Sequence, residues 1–296
     1  MPRPAHPLPL SLLGLAALGA FGLLACPSGC ASAPNVPAEV ALDTYSAAPF
    51  AEVLAAAVTD AGLIDYSDIT NDPENPDSYA DLDGKLDIYL DALARFGPES
   101  TPELFPTEDD QLAYYLNAYN AIMIRLWLDN GARTAAPTDK VQWLTWFTVN
   151  QWKIDRRNMS LDYLEQRLIR PTFKESRIHA ALVCGAVDCP PLWPEPFAGD
   201  RLDEQLDAVS RAWLTDPADD GLRIDDDGRV YLSAIFGWYR DDYRAEGGLE
   251  AMLEKYLDDS DPRKAPALDA LRNNRVKFMG YDWTINDAAN AVARGN

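Results

Sequence analysis

Apolar side chains recur at helical spacing along much of the chain. The spacing predicts helices over Phe50–Ala61 and residues 82–93, and a long helix that starts at the N-cap Thr107 and ends near Asp129. Further helices are predicted from the N-cap Ser160 to the residue before Pro171, and over residues 202–214, 233–239, 249–257 and 265–271.

Strand signals are fewer and shorter. Apolar residues alternate on both sides of Asp227–Gly228, which predicts a β-hairpin over residues 222–232. Alternation of Phe147 and Val149 predicts a strand in the tryptophan-rich stretch Trp143–Trp152, and residues 276–283 read as a final strand and turn. The pattern therefore predicts a helix-rich α+β fold in a single domain.

The N-terminus has the character of an export signal. Arg3 precedes an apolar run that closes at Leu23-Leu24-Ala25-Cys26, a sequence that resembles the lipobox of bacterial lipoproteins. The expected organisation is a signal peptide (1–25), a lipidated N-terminus and Pro/Ala/Ser-rich tether (26–45) and one domain (46–296). An ordinary cleaved signal or an uncleaved anchor is the alternative. Cys30 is a poorer lipid acceptor than Cys26, because Pro27 stands where the leucine belongs.

The charge balance limits the possible partners. The formal net charge is −21, and no basic cluster with interleaved aromatic residues occurs. Nucleic acid is therefore excluded as a partner, and anionic lipid would repel the domain. Membrane attachment is expected to come from the lipid on Cys26, which places the protein in the bacterial cell envelope. The partner is an unknown small molecule or envelope component, and no cofactor is indicated.

Histidine and cysteine side chains are concentrated in one run, Arg177–Leu192. It contains His179, the sole histidine after the signal, together with Cys184 and Cys189. In an exported protein the two cysteines suit a disulfide. An activated thiol, a metal site that includes His179, and inert thiols are the alternatives, although a metal would still lack a fourth ligand.

Local geometry separates the histidine from the first cysteine. His179 and Cys184 are five residues apart, which places them on opposite faces of a strand and about 140° apart around a helix. A catalytic pair would need a break at Gly185, or the return of Cys189 through the loop as the partner of the imidazole.

Other polar side chains occur at suggestive positions. Asn117 and Asn120 share one face of the long predicted helix, where buried amides must hydrogen-bond to backbone or to a ligand. Glu165 lies within a helix, where an exposed structural role is the default. The acidic turns at residues 81–84 and 225–228 lack the alternating carboxylates of a calcium loop, so no metal site is predicted.

Six motifs occur in order along the chain: GLIDYSDI, YYLNAYNAIMI, SLDYLEQRLIR, RIHAALVCGAVDCPPL, VYLSAIFGWYRDDY and VKFMGYDWTIN. Together they resemble the family of domains of unknown function numbered 547 (DUF547), which occurs in bacterial exported proteins and in plants. The resemblance implies one integral domain without an accepted activity. In the family a histidine usually follows the glutamate that matches Glu165, whereas this chain has Gln166. Plant relatives tend to keep the residue that matches Cys184 and to replace the one that matches Cys189 by serine.

Two functional hypotheses follow. The first is a thiol-dependent hydrolase or acyl-transferase with Cys184 as nucleophile, His179 as base and Asn120 or Glu165 as the group that orients the base. The second is a non-catalytic binding or scaffolding lipoprotein with a structural Cys184–Cys189 disulfide. Its contact surface would be the tryptophan-rich stretch. Candidate binding residues are Asn117, Cys189 and Ser233, and Ser233, Trp238, Tyr239 and Asp242 also match the family pattern, where cap and core roles account for most of them.

Overall fold

A computed structural model describes residues 33–69, 80–130, 146–218 and 220–290. The predictions of the signal peptide, of lipidation at Cys26 and of a strand position at Trp143 lie outside these residues.

A long central helix organises the fold. Helix α3 (Glu108–Asp129) begins at a capping box in which the Thr107 side chain accepts from the Asp110 N–H and the Asp110 side chain accepts from the Thr107 N–H. Most of its side chains are buried, which is typical of a helix surrounded by other elements. Helices α1 (Ala48–Ala57) and α2 (Leu82–Arg95) pack against each other, and α2 also packs against α3.

An antiparallel ribbon of two strands leads into an unusual helix. Strands β1 (Trp152–Ile154) and β2 (Arg157–Met159) pair with Trp152 opposite Met159. Helix α4 then begins at Leu161–Tyr163 with Ser160 as N-cap, continues as a π-helix over Leu164–Ile169, and ends as an α-helical turn at Arg170–Phe173.

The second half consists of short helices and a small mixed sheet. Strands β3 (Leu222–Ile224) and β4 (Val230–Leu232) form an antiparallel hairpin, and β5 (Lys277–Phe278) pairs in parallel with β4. The remaining helices are α5 (Ile178–Ala181), α6 (Leu202–Thr215), α7 (Ala234–Trp238), α8 (Arg240–Arg244), α9 (Gly248–Tyr256) and α10 (Lys264–Arg272). The predicted helix-rich α+β class with a hairpin is confirmed.

Three predicted boundaries are wrong. Residues 146–149 are helical rather than extended, and the strand starts only at Trp152. The α4 helix passes through Pro171 because its π-helical segment changes the bonding pattern just before the proline. The final strand comprises only Lys277–Phe278, and the chain beyond it has no further strand up to residue 290.

Buried side chains from most of these elements form one continuous hydrophobic core, from Phe50 in α1 to Ile285 near the end of the described chain. Within the described ranges, no helix has the length and apolar character needed to cross a membrane.

Candidate functional site

Three polar side chains, those of Glu165, Gln166 and Arg170, meet at the π-helical part of α4. The Arg170 N–H reaches back to the Glu165 carbonyl, five residues earlier, which is the bonding pattern of a π-turn. The Gln166 amide donates to Glu165 Oε1 at 2.7 Å, and its Oε1 accepts from the Arg170 guanidinium. Pro171 follows directly and has no N–H to extend an ordinary helical ladder. π-Turns are frequent at functional sites.

The His179 imidazole hydrogen-bonds to the carboxylate of Asp242. His179 Nε2 lies 2.7 Å from Asp242 Oδ2, and the imidazole is only 3% exposed. The Arg170 guanidinium donates to both Asp242 oxygens, at 2.7 and 2.8 Å, in a bidentate pair. Burial raises the pKa of Asp242, but the hydrogen bonds from His179 and Arg170 outweigh it and hold that pKa well below its usual range.

Tyr239 connects this pair to Glu165. Its ring stacks on the His179 imidazole with 3.9 Å between ring centroids, and the Arg170 guanidinium lies 4.7 Å from the centroid of the tyrosine ring. The Tyr239 hydroxyl donates to Glu165 Oε1 at 2.7 Å. Burial and the Glu165 charge both raise the pKa of Tyr239, so its hydroxyl stays protonated and acts as a donor. The structure thus brings Glu165 and His179 together through Tyr239.

Cys184 and Cys189 form a disulfide next to a tyrosine hydroxyl. The Tyr281 hydroxyl lies 3.2 Å from Cys184 Sγ and 3.1 Å from Cys189 Sγ. The backbone N–H of Cys184 also donates to Cys189 Sγ, at 3.0 Å. Cys184 is partly exposed, whereas Cys189 is only 1% exposed. Among the described residues no hydrogen bond joins His179 to Cys184, since the imidazole bonds to Asp242 instead.

Asn120 acts on the backbone between His179 and Cys184. Its amide donates to the Ala181 carbonyl at 2.9 Å, and its side-chain oxygen accepts from the Val183 N–H at 3.0 Å. Both contacts are buried, and together they satisfy two backbone groups at the end of the short helix α5. Asn120 therefore holds the chain that carries the cysteine, and it does not contact the imidazole.

Asn117 makes the same kind of clamp one helical turn earlier. It donates to the Phe197 carbonyl and accepts from the Phe197 N–H, both at 2.8 Å. Ser233 caps helix α7 by accepting from the Ile235 N–H, and it lines a cavity of about 150 Å³ together with Asp188 and Asp220. The three candidate residues Asn117, Asn120 and Ser233 thus have backbone partners within the fold.

The tyrosine that contacts the disulfide packs with two tryptophans; we name Trp238, Tyr281 and Trp283 the aromatic surface. Ring centroids lie 4.8 Å apart for Trp238 and Tyr281 and 4.6 Å apart for Tyr281 and Trp283. The two indoles are nearly parallel, with an interplanar angle of 15°, and Trp238 is 47% exposed. An exposed tryptophan that packs on the tyrosine in contact with a disulfide is a suitable surface for a ligand.

Sequence reasoning did not identify four residues of this site as functional: Arg170, Tyr239, Asp242 and Tyr281. Tyr239 and Asp242 match the family pattern, in which cap and core roles account for most of the matching residues, and Tyr281 lies in the motif VKFMGYDWTIN. The spacing of Tyr239 and Asp242, three residues apart, was an available signal that they share a helical face. In the described part of the chain, no group of His, Cys, Asp or Glu side chains is arranged to hold a metal ion.

Comparison with known proteins finds one similarity, in the central part of the chain. The model of the family described as "Protein of unknown function, DUF547" matches residues 104–214. Over this range the chain is similar to the DUF547 family. The DUF547 match includes Asn117, Asn120, Glu165, His179 and both cysteines of the disulfide, whereas Tyr239, Asp242 and Tyr281 follow it in the chain. No curated protein and no solved structure matches the chain.

Proposed function

We propose that this protein carries out thiol–disulfide exchange through Cys184 and Cys189. The observation that carries the proposal is the unequal position of the two sulfur-bearing residues. Cys184 is partly exposed, whereas Cys189 is buried at 1% exposure. An incoming thiolate is therefore expected to attack the Cys184 sulfur.

The contacts around the sulfurs favour the departure of Cys189. When a thiolate attacks Cys184 Sγ, a mixed disulfide forms, the Cys184–Cys189 bond breaks, and its electron pair leaves on Cys189 Sγ. That sulfur accepts hydrogen bonds from the Cys184 N–H and from the Tyr281 hydroxyl, at 3.0 and 3.1 Å. Donors that stabilise a leaving thiolate accelerate exchange. A second thiol then attacks the external sulfur of the mixed disulfide and releases Cys184 as the thiolate. In sum, two external thiols are oxidised to a disulfide and the protein disulfide is reduced.

The two other hypotheses make different use of the same residues. Acyl transfer with Cys184 as nucleophile and His179 as base stays a prediction, and it requires the imidazole to leave Asp242, to which it bonds at 2.7 Å. A non-catalytic binding or scaffolding module with a structural disulfide is our second candidate. The observation that favours it is that Asn117 and Asn120 both act as backbone clamps.

Controlled reduction of the folded protein tests thiol–disulfide exchange. We expect millimolar dithiol to open the Cys184–Cys189 bond reversibly at neutral pH without loss of the circular dichroism spectrum. Alkylation followed by peptide mass spectrometry distinguishes this pair from Cys26 and Cys30. In Cys189→Ser, Cys184 should form a mixed disulfide with an aromatic disulfide reagent, whereas in Cys184→Ser the buried Cys189 should react at least about tenfold more slowly. A bond that opens only when the protein unfolds would support the structural candidate and contradict exchange.

We further propose that the protein is anchored in the cell envelope by a lipid on Cys26. Only the sequence Leu23-Leu24-Ala25-Cys26 supports this proposal. In a bacterium that processes lipoproteins, Cys26→Ser should abolish incorporation of labelled palmitate and release the protein from membranes. The matched variant Cys30→Ser should keep both the label and the membrane association. Label in Cys26→Ser, or its loss in Cys30→Ser, would contradict the assignment.

A further inference from the structure

The tyrosine that contacts the disulfide belongs to a surface that suits a cation. The Tyr281 hydroxyl that contacts both sulfurs belongs to a ring that packs on Trp238 and Trp283. Trp238 is 47% exposed, so part of this indole is accessible to a ligand near the tyrosine. Tryptophan attracts ammonium and guanidinium groups more strongly than the other aromatic side chains do.

Three carboxylates from different parts of the chain lie near Tyr281. Asp188 lies in the loop between the two cysteines, and its Oδ2 accepts from the Asp282 N–H, next to Tyr281, at 2.6 Å. Asp220 lines the same cavity of about 150 Å³ as Asp188. Glu165 bonds to Tyr239, the neighbour of Trp238 in the chain. Burial first, and then the charges of Asp188, Glu165 and Asp220, raise the pKa of Tyr281 well above its usual range.

The cavity also has one basic side chain in its lining. Arg223 lines it, and its guanidinium lies 5.1 Å from the centroid of the Tyr231 ring. Two carboxylates, Asp188 and Asp220, line the cavity together with this single cation, and the whole chain carries a formal net charge of −21. A thiolate that approaches Cys184 is itself an anion, so the local and the long-range fields both oppose it.

We propose that the thiol that exchanges with Cys184 carries a positive charge of its own, as an ammonium or guanidinium group within reach of the aromatic surface. The cation would lie against Trp238 and the carboxylates and would compensate for the charge of the attacking sulfur. This inference rests on the proposed thiol–disulfide exchange and names the chemical class of its substrate.

Three small thiols of similar size test the proposal on the full-length protein. Cysteamine is cationic, 2-mercaptoethanol is neutral and 3-mercaptopropionate is anionic. The rate of opening of the Cys184–Cys189 bond, expressed per thiolate, should be about tenfold or more higher for cysteamine than for 3-mercaptopropionate at low salt. High salt should reduce the ratio, because screening weakens interactions between exposed charges.

Two variants test which side chains produce the preference for a cationic thiol, and a third variant is the control. Asp188→Asn should lower the ratio several-fold, whereas Asp258→Asn, at a side chain that is 78% exposed, should leave it unchanged. Trp238→Leu should slow cysteamine more than 2-mercaptoethanol, and because Trp238 is largely exposed this variant is expected to fold. Equal rates per thiolate for all three thiols would overturn the charge proposal and leave exchange standing. If no thiol opens the bond in the folded protein, both proposals fail.

Discussion

Replacing Gly185 by alanine is expected to lower the free energy of unfolding by about 3 kcal/mol, which is a large part of the stability of an ordinary domain. Gly185 has φ +81°, a left-handed conformation that costs a residue with a Cβ about 1–2 kcal/mol. An added Cβ would also come within 2.0 Å of Trp127 Nε1, and Trp127 is only 1% exposed. Forcing such an overlap in a packed core costs about 1–3 kcal/mol more.

The same substitution at Gly228 is the matched control. Gly228 has φ +74°, but an added Cβ would meet nothing within 4 Å, because this glycine lies in the exposed hairpin turn. Gly228→Ala should therefore cost only the conformational part, about 1 kcal/mol. Urea unfolding followed by tryptophan fluorescence measures both changes. Equal losses in the two variants would contradict the packing that we describe around Trp127.

Gly185 also shows how the disulfide loop is positioned. The Gly185 carbonyl accepts from the Asn286 N–H at 2.9 Å, and Val187 donates to the Thr284 carbonyl at 2.7 Å. These bonds attach the loop between the cysteines to the C-terminal segment that carries Tyr281. Gly185 does interrupt the regular backbone, as a catalytic pair of His179 and Cys184 would require. It directs the loop toward Tyr281 rather than toward His179.

The sequence correctly predicted those features of the fold that depend on neighbouring residues, namely helix N-caps and a hairpin turn. The N-caps Thr107, Ser160 and Ser233 all accept backbone hydrogen bonds as expected, since a cap depends on residues only two or three positions away. The hairpin at Asp227–Gly228 is likewise specified by neighbouring residues. The π-turn in α4 was missed, because Pro171 is ordinarily a signal for the end of a helix.

The candidate site depends on contacts that no local pattern reveals. His179 and Asp242 are 63 positions apart, and Glu165 and Tyr239 are 74 positions apart. Residue type identified Glu165 and His179 as candidates. The spacing along the sequence gave no reason to connect either of them to helices α7 and α8. Only the packing of those short helices against α4 and α5 brings the aromatic and acidic partners to the imidazole.

Asp242→Asn is expected to lower the free energy of unfolding by about 2 kcal/mol near neutral pH. The variant keeps the shape of the side chain but removes the charge that pairs with Arg170 and His179. The figure is below that of a fully buried pair, because Arg170 and Asp242 are 25% and 26% exposed and water screens part of the interaction. Asp241→Asn is the control, since Asp241 is 81% exposed and pairs only with the exposed Arg244; it should cause no measurable loss.

The difference in the free energy of unfolding between the wild-type protein and Asp242→Asn should decrease at acidic pH. Because the folded protein holds the pKa of Asp242 below its usual range, its ionised carboxylate contributes stability at every pH above the usual aspartate pKa of about 3.9. Below that pH the unfolded chain takes up a proton that the folded protein still excludes, so the contribution declines as the pH falls toward the lowered pKa. Urea midpoints for both proteins at pH 5, 4 and 3 should therefore show a gap that becomes smaller as the pH falls. A gap that is unchanged at pH 3 would mean that Asp242 acts through shape and packing rather than through its charge.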